Sequence, residues 1–141
     1  MKPTPWPVLA ALPLLMALTG CENDSAAYAI EGNKDHSITL TREQNVPFGD
    51  VSQRLVVANI PACQRRFGIL ASKAGMAEMK IHELPSGDFA ANQGQTWYGI
   101  TLDGCEAWMM PAPEAAEAAK GTLLGAFRQT GGKLAFSPAA K

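Results

Sequence analysis

The side chains able to do chemistry are few: three cysteines, Cys21, Cys63 and Cys105, and two histidines, His36 and His82. A thiol can take an acyl group, close a disulfide, hold a soft metal or act as a nucleophile. No two of the cysteines form a Cys-x-x-Cys pair and neither histidine stands at a ligand spacing, which counts against a thiolate metal centre. Met76-x-x-Met79-x-x-His82 offers thioether and imidazole donors of the kind that suit Cu(I). On a strand, however, Met79 and His82 point to opposite faces, and Met79 shares its side with Ile81. A core methionine and a solvent-facing histidine are the better reading, and a copper chaperone is the alternative. No Gly-x-Ser-x-Gly, phosphate-binding loop or glycine-rich dinucleotide turn occurs. Asp88, Asp103 and Glu106 sit in turn-rich stretches, where solvated surface charge is the default. The chain reads as non-enzymatic, with no cofactor and no metal.

Residues 1–20 have the three parts of an export signal. Lys2 supplies the positive end, and an apolar run extends from Val8 to Leu18. A membrane-spanning helix needs about 20 such residues, so this run is too short to remain as a span, and Pro13 interrupts it. The run closes on Leu18-Thr19-Gly20-Cys21. This tetrapeptide resembles the lipobox of bacterial lipoproteins: a branched apolar residue, two small residues, then the cysteine. The resemblance implies acylation of Cys21, cleavage before it, and three acyl chains on the mature chain. Each buried methylene contributes about 0.8 kcal/mol, so two or three chains hold stably where one holds marginally. In enterobacterial members of that family an Asp after the cysteine retains the protein in the inner membrane. Glu22 stands there instead, which implies a lipid anchor in the cell outer membrane, facing the periplasm.

An exported chain matures in an oxidising compartment, and with Cys21 set aside two cysteines remain. Cys63 and Cys105 are therefore expected to form a disulfide. By the chain-entropy argument, closing a loop of about 40 residues stabilises a small domain by about 4 kcal/mol. Without Lys2, the 12 basic side chains become 11 against 13 acidic ones. There is no basic surplus for nucleic acid and no polybasic patch for anionic lipid. Membrane attachment falls to the acyl group alone. Arg65 and Arg66 follow Cys63 closely, and their guanidinium forks suit a carboxylate or phosphate of the envelope; the plainer reading is a solvated, neutralised pair. Trp97 lies off the apolar face of its strand and either packs or is presented to a partner. Arg65, Arg66 and Trp97 form the candidate binding surface.

The elements that must position these residues are mostly strands. Residues 21–27 read as a short, polar, acylated tether, and residues 28–141 as one domain. Tyr28–Glu31, Ser37–Arg42, Leu55–Ile60, Glu78–Leu84, Phe89–Asn92, Thr96–Leu102 and Ala107–Met110 carry strand patterns between Gly-, Pro- and Asn-rich turns. Leu123–Phe136 reads as a hairpin around Gly131-Gly132. Gln64–Ala77 has no clean period and reads as a loop or short helical turn. Pro111–Lys120 is alanine-rich and reads as a short helix or linker. The sum is a mainly β domain, a small antiparallel sandwich or curled sheet with one disulfide and at most a short helix.

Val56-Val57-Ala58-Asn59, the segment Pro61 to Arg66, Trp97-Tyr98 and Cys105 resemble uncharacterised small proteobacterial lipoproteins, a likeness that implies location and no activity. The expected function is contact with envelope proteins or peptidoglycan. A small-ligand or inhibitor-binding module, similar in format to the lipoprotein lysozyme inhibitors, is the alternative. Labelled palmitate is expected to enter the chain when it is expressed in a Gram-negative host, and Cys21→Ser is expected to abolish the label. Retention of the label by Cys21→Ser would overturn the lipobox reading.

Overall fold

The computed structural model describes residues 2–3, 21–73, 75 and 78–141, so residues 4–20, expected as most of an export signal, and Met76 lie outside the described residues. Two antiparallel sheets are stacked. The first has four strands in sequence order: β1 (Asn23–Ala29), β2 (His36–Glu43), β3 (Val51–Asn59) and β4 (Cys63–Ser72). The second contains β5 (Met79–Glu83), β6 (Phe89–Gln93), β7 (Thr96–Thr101), β8 (Glu106–Met109), β9 (Thr122–Thr130) and β10 (Lys133–Pro138), ordered β10-β9-β5-β6-β7-β8. One short helix, α1 (Ala112–Ala118), joins β8 to β9.

The core follows from period-two alternation. Ile38 and Leu40 of β2 and Leu55 and Val57 of β3 project from one sheet, and are fully buried. They meet Met79 and Ile81 of β5, Phe89 and Ala91 of β6, Tyr98 and Ile100 of β7, and Phe127 of β9. Gly125 lets β9 and β10 approach closely. Its φ is 155°, and a Cβ there would sit 2.4 Å from the Ser137 carbonyl and 2.6 Å from the Phe136 ring, which leaves glycine as the fitting residue.

The sheets meet along two seams of different character. On one side β1 lies beside β10: the Leu134 amide donates to Asp24 Oδ2 at 2.6 Å, and the Tyr28 and Phe136 rings are 4.6 Å apart. On the other side β4 faces β8, and here the expected disulfide is present. Cys63 opens β4 and Cys105 precedes β8, with 2.00 Å between sulfurs and 5.9 Å between Cα atoms.

Two expectations are corrected. Residues 23–27, taken as part of a tether, belong with Tyr28 and Ala29 to strand β1, paired with β2 from Asn23↔Glu43 to Ala29↔Ser37. Their polar and small side chains have little strand preference of their own, so pairing and the contacts of the preceding residue impose the conformation. Glu22 pairs with Arg42, whose guanidinium is 0 % exposed, and also accepts from Gln129 of β9. Residues 63–72, expected as a loop or helical turn, form the ten-residue edge strand β4. Phe67 and Ile69 face inward opposite Leu55 and Gln53, while Arg66 and Gly68 face out. An edge strand needs only this partial alternation, because one side of its backbone has no neighbour.

Arg42 is the buried charge of the core. It donates to Gln53 Oε1 at 3.3 Å, Ser72 Oγ at 2.7 Å and the Lys73 carbonyl at 3.2 Å, besides its pairing with Glu22. Burial pulls its pKa down while Glu22 and Asp24 oppose that pull, and a guanidinium so placed stays charged. Arg42→Leu strands Glu22 without its cation and is expected to cost about 3 kcal/mol. Arg54→Leu breaks an exposed pair with Glu43 and is expected to cost under about 1 kcal/mol. Urea unfolding midpoints of the two variants check the contrast.

Candidate functional site

The β4–β8 seam is laced at one end and open further along. At the laced end stand the disulfide, the Asn59 side-chain amide donating to the Leu102 carbonyl at 3.2 Å, and Arg65 facing Glu106 at 3.9 Å. Arg65 also lies over the Phe67 ring, 6.0 Å from its centroid. Beyond these contacts the two edges part around a cleft of about 520 Å³, whose walls include Arg66, Phe67, Ile69 and Leu70 on β4, Tyr98 on β7, and Trp108 and Met109 on β8. The Leu70 amide donates across it to the Tyr98 hydroxyl at 3.2 Å.

The walls are apolar and accessible. Leu70 is 54 % exposed, Met109 55 % and Trp108 40 %. Both bounding strands are sheet edges, and an edge strand presents backbone donors and acceptors without strand partners. Arg66 is exposed at the rim, with no ion pair among the described residues. Trp108 is held by its surroundings: Gly99 lies opposite it on β7, and a Cβ on Gly99 would come within 2.4 Å of the indole. The indole Nε1 donates to Glu114 of α1 at 3.2 Å. The lack of a side chain at residue 99 thus makes room for the indole against β7.

The three residues of the candidate surface divide. Arg65 and Arg66 stand on β4, at the laced end and at the cleft rim respectively. Trp97 lies elsewhere, half-buried on the outer face of the six-stranded sheet against His82, with ring centroids 5.1 Å apart. Packing is the role the structure gives Trp97. Trp108, with Leu70 and Met109, occupies the position beside Arg66 that the sequence reading assigned to Trp97. The signal for this was present but weak: large apolar side chains a few residues after each disulfide cysteine, Leu70 after Cys63 and Trp108-Met109 after Cys105.

His82 also departs from expectation. It does face away from the core, but it is buried rather than solvent-facing, and neither ring nitrogen has a hydrogen-bond partner. Burial pushes its pKa below the ordinary 6.5; the backbone of Gly121 pulls the other way from outside hydrogen-bond geometry, and Lys80 adds to the lowering. Met79 is fully buried in the core, on the opposite face of β5. Among the described residues no group of three or more His, Cys, Asp or Glu side chains is placed to hold a metal ion. A second cleft of about 650 Å³ lies between α1 and the Leu84–Ser86 turn, lined by Met110, Pro113 and Ala118 among others.

No protein-family model, curated protein or solved structure matches this chain. Its geometry alone must carry the functional reading. What that geometry offers is binding: an apolar slot between two strand edges, one cation at its rim, and a rigid aromatic at its mouth.

The buried imidazole gives a pH test. Because its folded pKa is lowered, the unfolded chain binds the proton in a range where the folded chain does not. The stability it contributes is whole above about pH 6.5 and is lost as pH falls through that value towards the folded pKa. The urea midpoint of the wild type is expected to fall more between about pH 7.5 and about pH 5 than that of His82→Phe. Equal falls would show that His82 titrates normally.

Proposed function

We propose that this chain is a non-enzymatic lipoprotein of the bacterial outer membrane, anchored through Cys21 and facing the periplasm, that binds an extended apolar segment of an envelope protein in the β4–β8 cleft. The observation that carries the reading is the cleft itself: two facing sheet edges whose lining includes the exposed Leu70, Met109 and Trp108. Exposed apolar side chains gathered at one place mark interaction sites. Strand edges add main-chain hydrogen bonding to an extended partner. β4 and β8 run in the same direction away from the disulfide, so a segment of opposite direction would lie antiparallel to both. Arg66 favours an acidic group on that segment.

Anchoring is supported by the state of the thiols. Cys63 and Cys105 are joined to each other and Cys21 is free and exposed, which leaves its sulfur available for a diacylglyceryl group. No described helix is long and apolar enough to cross a membrane, so the acyl chains are the proposed attachment.

A photo-crosslinking residue in place of Met109, in cells carrying the full chain, is expected to capture a discrete envelope protein. Adding Leu70→Asp is expected to reduce that capture at least tenfold while the unfolding free energy from urea titration changes by less than about 1 kcal/mol, as surface changes do. Capture that persists unchanged in the folded double variant would overturn the cleft as the binding site.

A further inference from the structure

The end of the domain that carries Cys21 also carries its most exposed aromatic side chain. Gln44, at the close of β2, is buckled to the residue after the cysteine: the Glu22 amide donates to Gln44 Oε1 at 3.2 Å, and the Gln44 amide donates to the Glu22 carbonyl at 2.6 Å. The Gln44 side-chain amide then donates to the Gly49 carbonyl at 2.8 Å. One glutamine thus ties the start of the ordered body to the loop between β2 and β3.

That loop is a tight turn, Val46-Pro47-Phe48-Gly49, closed by the Gly49 amide donating to the Val46 carbonyl at 3.0 Å. Proline at the second position fits the turn. Phe48 follows with φ 62°, at the position where a type II turn favours glycine. A bulky residue in that region is an outlier. Its effect is to direct the ring outward: Phe48 is 91 % exposed and Val46 62 %. A Cβ on Gly49 would stand 2.8 Å from Val46 Cγ2, so a larger residue there would displace the Val46 side chain. The charged side chains that flank the turn in sequence are paired, Asp50 with Lys73 and Glu43 with Arg54, leaving an uncharged apolar tip, while Lys133 lies beside Cys21 and Gln44 at the same end.

We propose that the Val46–Gly49 turn inserts Phe48 into the interfacial region of the bilayer that receives the Cys21 acyl chains, setting the orientation of the domain on the membrane. The inference rests on the anchoring reading above. The occupant is lipid because β1 begins two residues after Cys21, which allows no spacer to lift this end away from the surface. An aromatic beside an anchor lies at the depth where amphipathic segments bury their apolar face. With acyl chains carrying retention, the ring contributes orientation, and the uncharged Val46–Gly49 tip makes its own insertion insensitive to salt.

The test uses the full chain expressed with its signal segment, purified and reconstituted into phosphatidylcholine vesicles containing brominated phosphatidylcholine as quencher. Phe48→Trp is expected to float with the vesicles and to show at least a twofold quenching of the added indole emission, over the background from Trp97 and Trp108, equally at low and high salt. Val46→Trp gives the same readout should Phe48→Trp fail to fold. Protein that floats but shows no added quenching, or quenching lost at high salt, overturns the inserted tip and leaves anchoring intact. Protein that neither floats nor carries an acyl mass overturns anchoring and the tip together.

Discussion

A single buried guanidinium holds the two sheets in register at the Cys21 end. Arg42 lies where Ile38 and Leu40 direct the inward face of β2, but its reach is far longer than theirs. It joins Glu22 ahead of β1, Gln53 of β3, and Ser72 and Lys73 at the end of β4. Glu22 and Gln53 extend the set to Gln129 of β9 and Gln93 of β6, which belong to the other sheet. A charge taken out of water is tolerable only where its donors find acceptors. Here the acceptors come from separate elements, so satisfying one cation demands that all of them arrive in place together. The apolar core would permit many relative positions of two sheets, and this cluster permits few.

With that end set, the seams differ for local reasons. β1 and β10 close on each other through ring packing and the Asp24 carboxylate. β4 and β8 are held apart beyond their disulfide, because Phe67, Ile69 and Tyr98 occupy the space without filling it. Unpaired edges invite indiscriminate strand pairing. This protein blunts them: β8 has only four residues, Arg65 and Glu106 face each other at its start, and Arg66 charges the rim of β4. Such an edge suits a partner selected by side chains as well as by backbone.

Much of this architecture is legible in the sequence. Alternation in Ser37–Arg42, Glu78–Leu84 and Thr96–Leu102 locates β2, β5 and β7 within a residue or two, and Gly-containing turns locate the β6–β7 and β9–β10 hairpins of the second sheet. The pairing of Cys63 with Cys105 follows from setting Cys21 apart. What escapes is what depends on distant partners. β1 is built, Tyr28 apart, from residues of low strand preference, and Glu22 just ahead of it is held by Arg42, twenty residues away along the chain. The burial of His82 comes from Trp97 and from the chain that passes from β8 through α1 to β9, none of it visible in a window around β5. Trp108 at the cleft rather than Trp97 is decided by Gly99, where the absence of a side chain makes room for an indole from the neighbouring strand.

The strand that follows Cys21 is also part of the two-sheet body, and under the proposed anchoring this has a mechanical side. Tension from a membrane on Cys21 would run along the axis of β1 and load its seven paired positions with β2 in shear, all at once, rather than peeling them in turn. The Glu22–Arg42 pair stands at the point where force enters. A domain attached in this way resists being pulled from its moorings with the strength of its whole first sheet, whereas a flexible leader would transmit the same pull to whichever bond lay nearest.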